Sequence, residues 1–553
     1  MHKFKVSSML LAGIMAILAM SLACGAAPTA TPVPKATSVP AASPTAAPKA
    51  TAVSPQPTAT APPAATVTAQ VKPVYGGTLR YVLSTGIKTL DPLHRVDKKE
   101  RAVGHSIYNG LVKQDPAMNI IPDLALKWDI STDGKTITFH LAKGVKFHDG
   151  TDFNAKAAKW NFDKILDPNW VSTSRADLVA AVDKVEVLDD QTLVMKLKLA
   201  WRPILATLSL TDNLMISPTA YDKYGDFFGQ RPVGTGPFVF KEWLADSRII
   251  ITKNDKYWEN GVPYLDAIYY LMAADKAVQM AMLRTGEADL VDDMAAIDVV
   301  AVKGNPKIKI ESLVTNSWEN TFFRITQAPY NNKALRQAIS YALDKQKLVD
   351  VQWEGNASPA YTTYGYSWWS DPTYQPYKYD TKKAKEKLIE AGYPQGLTVP
   401  YWCQGTDDEL RECEIVQAIL AESGIKVDIK LVSSADWSKI READCGWCRM
   451  SISVRPDPDY IHRTTLHSTG GVAKNRAKYS NPQVDKLVDE AAATFDTTKA
   501  GQLYIQAQKI VFEEAVYIGF YFPTRYATRT TKVQNWVWWP DVNLRLYTLW
   551  LEK

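Results

Sequence analysis

"PDLALKWDISTDGKTITFHLAKGVKFHDGTDFNA", residues 122–155, decides how this chain is read. Residues 135–141 alternate, with Ile137, Phe139 and Leu141 on one face and Thr136, Thr138 and His140 on the other, as a half-buried strand does. Asp149-Gly150 is a turn dipeptide directly after that strand, and Asn154 stands where it can cap a helix over "AKAAKWNFDKIL". Residues 140–153 also hold two histidines and two aspartates, which invites a metal or acid–base reading. His140 and His148 lack the i, i+4 spacing of a helical metal pair, and the whole chain has only seven histidines. The stretch is strand, turn and helix, and no metal or catalytic site is expected in it.

Outward from it, "TLRYVL" (78–83) alternates, and "VEVLDDQTLVMKLK" (185–198) is two alternating runs about an Asp-Asp turn, so the first half is β-rich. The second half changes character. "NNKALRQAISYALDKQKLV" spaces Leu335, Ala338, Ile339, Ala342 and Leu343 at helical intervals behind an Asn332 cap. "DTKKAKEKLIEAGYP" predicts a helix capped by Asp380 and stopped by Gly392 and Pro394. "LTVPYW", a helix over "DELRECEIVQAILAES", Gly424 and "IKVDIKLV" make a βαβ unit and therefore a parallel pair. Two long helices, about 482–495 and 498–515, precede a Trp- and Tyr-rich tail. There is no internal repeat.

The start of the chain is basic (His2, Lys3, Lys5), then apolar over 9–23, too short for a transmembrane helix of roughly 20 residues and suited to a signal peptide over 1–23. "SLACGAA" resembles the lipobox of bacterial lipoproteins, with Cys24 as the lipid-bearing residue, although Ser21 and Leu22 depart from that pattern. Ordinary cleavage after a nearby small residue is the alternative. Residues 24–74 are mostly Ala, Thr, Pro, Ser and Val; such a stretch cannot bury enough surface to offset its ordering entropy and reads as a disordered tether. The seven basic residues of 1–90, with no Asp or Glu among them, more than account for the net charge of +5, so residues 91–553 carry −2. A near-neutral module of that size argues against a nucleic-acid partner and for more than one core.

Four cysteines follow the anchor. An even count in an exported protein points to two disulfides in any of three connectivities, of which Cys403–Cys413 with Cys445–Cys448 is the one expected. "CGWC" also matches a redox CxxC, but Cys448 runs into the strand-like "RMSISV", where a thioredoxin-type motif would open a helix.

The opening stretch resembles the signature of the family 5 extracellular solute-binding proteins, the receptors of peptide- and nickel-type ABC importers. The resemblance is collinear over the module: "YGGTLRYVLSTGIKTLDP", "IYNGLVKQD", "PVGTGPFVFKEW" with "NDKYWENGVPYLD", "LRTGEADLVDDM", "NNKALRQAISYALDKQKLV", and "RPDPDYIHRTTLHS" with "YSNPQVDKLVDEA" follow in the family's order. It implies an α/β, type II periplasmic-binding-protein-like fold of two lobes. Lobe I would span 75–315 and 525–553, with a β-rich subdomain inserted at about 114–228, and lobe II 316–524. It implies a monomeric, extracytoplasmic receptor, lipid-anchored to the cytoplasmic membrane, that captures a small-molecule or peptide-like ligand and hands it to ABC permease subunits with their ATPases. No cofactor and no metal are implied.

Candidate ligand-binding residues are Tyr108, the tight loop Gly234, Thr235 and Gly236, the aromatics Trp318, Trp368, Trp369, Trp402 and Trp447, and Arg455 and Asp457 of the aspartate–proline loop. Peptide-binding members of the family carry an aspartate four residues before the loop's proline; counted back from Pro458, this chain has Val454 there and Arg455 beside it. A valine cannot pair with an ammonium group, whereas Arg455 would favour a carboxylate or phosphate. The competing class is an exported enzyme, either a redox protein using Cys445 and Cys448 or a glycosidase with two carboxylates across an aromatic cleft. A surface adhesion protein, resting only on tether and anchor, is a third.

Overall fold

A computed structural model describes residues 72–553 except 85, 95–96, 171, 173–174, 316, 364–367, 453–454 and 540–543. The expected signal peptide, Cys24, nearly all of the tether and Val454 lie outside the described residues.

The opening motif folds as its alternation dictates. Thr136–Leu141 is a strand with Ile137 and Phe139 fully buried, which contributes about 1.5–3 kcal/mol for each such side chain. It pairs with Ala125–Ile130 and Thr192–Leu197, and the latter with Val182–Asp189, across the expected hairpin. The side chain of Asn154 accepts from the amides of Lys156 and Ala157 and so starts the helix Ala155–Leu166, which packs on this sheet. Gly150, at φ +87°, supplies the left-handed turn. The two histidines are structural. His140 Nε2 lies 2.7 Å from Asp129 Oδ2. His148 Nδ1 accepts from the Gly234 amide at 3.4 Å while Nε2 lies 3.0 Å from the Gly236 carbonyl, and burial lowers its pKa to about 4.

Among the described residues twelve strands form one large sheet. On one side Thr78–Leu83 runs parallel to both Ala267–Met272 and Leu290–Met294. On the other, Leu397–Gln404 and Ile425–Val432 run parallel in register from Leu397↔Ile425 to Gln404↔Val432, joined by the helix Asp407–Ala421. That is the βαβ unit read from the sequence. The 14-residue strand Tyr517–Thr530 connects the two sides. Its first residues pair with Trp318–Phe323 (Phe322↔Tyr517) and its last with Ile308–Val314 (Ile308↔Thr530). Separate apolar clusters accompany this division. Leu79, Phe139, Ile268 and Leu549 belong to one, and Trp318, Met450 and Phe512 to another. The arrangement is a two-lobe α/β fold with a β-rich insert in the first lobe.

Candidate functional site

Two turn segments face each other across the insert and the second lobe. On the insert, the strand Thr192–Leu197 is followed by "LAWRP" (199–203), whose Pro203 precedes the short helix Ile204–Leu208. On the second lobe, "RPDPD" follows the strand Trp447–Ile452, and Pro458 opens the helix Asp459–Thr465. Between them lies a cavity of about 540 Å³. Leu199, Ala200, Pro203, Ala206 and Leu210 give it an apolar wall, and Tyr460 faces them with the charged groups of 455–463 and Asp489.

Those charged groups are engaged with one another. The guanidinium of Arg202 grips Asp457 with both terminal nitrogens, Nη2 at 3.0 Å from Oδ1, and both side chains are buried. Burial pushes the Asp457 carboxyl above its ordinary range, against the opposing pull of Arg202. Asp459 accepts from Trp201 Nε1 at 3.2 Å, from the Tyr504 hydroxyl at 3.2 Å and from Arg463 Nε at 3.1 Å. Arg463 Nη1 also reaches Asp489 at 2.9 Å. Arg455 reaches Asp177 at 2.5 Å and lies 4.0 Å over the Tyr460 ring. Behind the loop, His462 Nδ1 lies 2.7 Å from the Pro458 carbonyl and fixes the turn.

The cavity thus brings together Arg455 and Asp457 of the expected residues. The others sit elsewhere. Tyr108 is buried, its hydroxyl donating to the Leu90 carbonyl at 2.7 Å. The Gly234–Gly236 loop approaches protein backbone: a Cβ on Gly236 would stand 2.4 Å from the Ile107 carbonyl carbon, and Thr235 Oγ1 donates to Asn109 at 3.1 Å. Gly236→Ala is therefore expected to cost stability, about 2 kcal/mol, through forced backbone movement. Chemical denaturation with and without bound solute will check that the loss lies in folding. Trp318, Trp369 and Trp447 are buried in the second lobe, Trp447 stacked on Tyr401 at 4.1 Å. Trp402 is half-buried at the edge of a second-lobe cluster. Trp368 is 41% exposed and lies 5.2 Å from the Arg202 guanidinium. Cys403 and Cys413, and Cys445 and Cys448, stand at disulfide distance, with Cα–Cα separations of 6.9 and 5.9 Å. Among the described residues no cluster of three or more His, Cys, Asp or Glu side chains is placed to hold a metal ion.

Sequence reading passed over Trp201, Arg202, Asp177, Arg463 and Asp489. Arg202 and Asp457 are 255 residues apart, so no local pattern could join them.

Two α/β lobes bridged by shared strands, with a cavity where the insert faces the second lobe, define a solute-binding receptor. Residues 119–473 match the family described as "Bacterial extracellular solute-binding proteins, family 5 Middle", and the chain belongs to that family. It is 32% identical over 445 residues to the glutathione-binding protein GsiB of Pectobacterium atrosepticum, covering 78% of this chain and 85% of that protein. The GsiB of Escherichia coli K12 matches at 32% over 450 residues, 79% and 87% of the two chains. Among solved structures, the periplasmic binding protein DppA of Helicobacter pylori in complex with peptide STSA superposes with a TM-score of 0.72 at 27% identity, over 87% of this chain and 99% of that one. HbpA2 of Haemophilus parasuis gives 0.80 at 26% identity, over 86% and 100%. The protein is thus an extracytoplasmic receptor of an ABC importer, not an enzyme. Its work is capture: solute contacts to both lobes stabilise the closed form, which the permease then meets.

Proposed function

We propose that the cavity between residues 177–210 and 455–493 takes the solute, and that the solute presents an uncharged, apolar group to it. One observation carries this reading. Asp177, Asp457, Asp459, Asp489, Arg455 and Arg463 all have partners within the protein, while the facing wall is Ala, Leu and Pro. A charged ligand group would have to displace an ion pair; an apolar group only displaces water. Arg455, expected from the sequence to take an anion, serves Asp177 instead. Relatives named for glutathione and for a bound peptide support a peptide-like solute.

The finer topology belongs to the same proposal. Lobe I is 75–315 with 525–553, lobe II is 316–524, and the insert is about 114–228. The two cysteine pairs form disulfides, the leader is cleaved, and Cys24 carries the lipid that holds the receptor to the membrane.

Mass spectrometry of solute carried through purification, followed by titration calorimetry, tests the ligand reading. Peptides with large apolar side chains are expected to bind, and Ala206→Trp, which fills the cavity, is expected to weaken them at least about 100-fold by overlap. Binding untouched by Ala206→Trp, or tight binding of acidic solutes lost with Arg455→Ala, overturns it.

A further inference from the structure

Resting on that reading, we infer that Arg202 is the positioning residue for lobe closure: its ion pair with Asp457 holds the lobes together and can do so without solute. Arg202 comes from the insert, and four contacts tie its neighbourhood to the second lobe. Its guanidinium grips Asp457, its backbone amide donates to the Ala492 carbonyl at 2.8 Å, Trp201 donates to Asp459, and Asp177 holds Arg455. Apolar contact accompanies them: a Cβ on Gly134 of the insert would stand 2.8 Å from the Phe495 ring, so the turn already touches it, and Met118 packs on the second lobe's core.

The four contacts are not equal. Asp177 and Arg455 are 34% and 22% exposed, so their pair is screened by water and is weak. Arg202 and Asp457 are 8% and 9% exposed, bidentate, with the Trp368 ring against the guanidinium. Separating the lobes returns both charges to water. Closing them removes both together, so the pair favours closure only while both partners are present. If either is lost, the closed form holds an unpaired buried charge. For Asp457 that charge would also stand beside Asp459, whose repulsion already opposes its ionisation.

The Arg202 amide reports closure directly, because its acceptor belongs to the other lobe. Hydrogen exchange of the folded, solute-free full chain is expected to show this amide protected. In Asp457→Asn and in Arg202→Gln it should exchange at least about 30-fold faster, while the amides of Thr136–Leu141 and Ile425–Val432 keep their rates. The reciprocal pair Arg202→Asp with Asp457→Arg is expected to restore part of the protection. An unprotected Arg202 amide in the wild type overturns the inference, as does unchanged exchange in both single variants. Core amides losing protection alongside it in both would overturn it too, by assigning the pair to folding. Because no solute is present, failure here is separate from failure of the cavity reading, which calorimetry decides.

Discussion

Replacing Arg449 with methionine is expected to lower the unfolding free energy by about 3–5 kcal/mol, the cost of leaving buried carboxylates without their cation. Arg449 lies on the strand Trp447–Ile452 that leads into the cavity loop, and it is the counter-charge for two glutamates. Its Nη1 is 2.5 Å from Glu319 and its Nε 3.0 Å from Glu412. Glu412 also accepts the Tyr521 hydroxyl, and Glu319 the Ser451 hydroxyl at 2.7 Å. With Arg449 present, each glutamate is buried but served. Without it, two buried carboxylates lose their cation. Urea unfolding followed by tryptophan fluorescence measures the loss. Arg449→Lys, which keeps a positive charge at the site, should lose less than Arg449→Met; equal losses would mean that lost packing, not lost charge, is the cause.

What was legible in the sequence follows from how far each signal reaches along the chain. Asn154, Asn332 and Asp380 cap their helices because capping is decided within three residues, and the structure gives each the expected amide partners. The alternation of 136–141 and the βαβ pattern of 397–432 likewise needed only their own period. The aromatic residues were not legible in this way. Trp447 stacks between Tyr401 and Phe323, and Trp318 packs on Phe512 and Tyr517, yet in the sequence they look no different from Trp368, which is half-exposed beside Arg202. A tryptophan at a strand end can face a core or a cleft, and only the far partner decides. The same holds for Arg455. Its chemistry suits an anion, but the anion it meets is Asp177, 278 residues away. Trp201 and Arg202 went unseen for the converse reason: "LAWRP" (199–203) lies just past the hairpin of 185–198 and carries no motif of its own.

The aspartate–proline loop has a second support, a buried histidine whose titration makes the fold sensitive to acid. His462 is fully buried in the helix Asp459–Thr465, its ring 4.5 Å from that of Tyr504 and its Nδ1 on the Pro458 carbonyl, and burial lowers its pKa to about 4. An imidazole whose folded pKa lies below the unfolded value near 6.5 is neutral in the fold but takes a proton readily when unfolded. Its contribution is complete above about pH 6.5 and is lost as pH falls towards 4, amounting to about 3 kcal/mol. Asp123, a buried carboxyl raised to about 6, works in the opposite direction over the same range, so the wild-type profile alone cannot isolate the histidine. The difference between wild type and His462→Gln can. At pH 7 the variant should be less stable by about 1 kcal/mol for the lost loop hydrogen bond. As pH falls to 4 the wild type alone loses the histidine's contribution, and the gap should close and then reverse. Solute affinity of the folded wild type should hold over the same interval, because the imidazole stays neutral in the fold until about pH 4 and the turn that carries Asp457 and Asp459 is unchanged. Parallel stability curves for the two proteins from pH 7 to 4 would show that the imidazole does not titrate with unfolding.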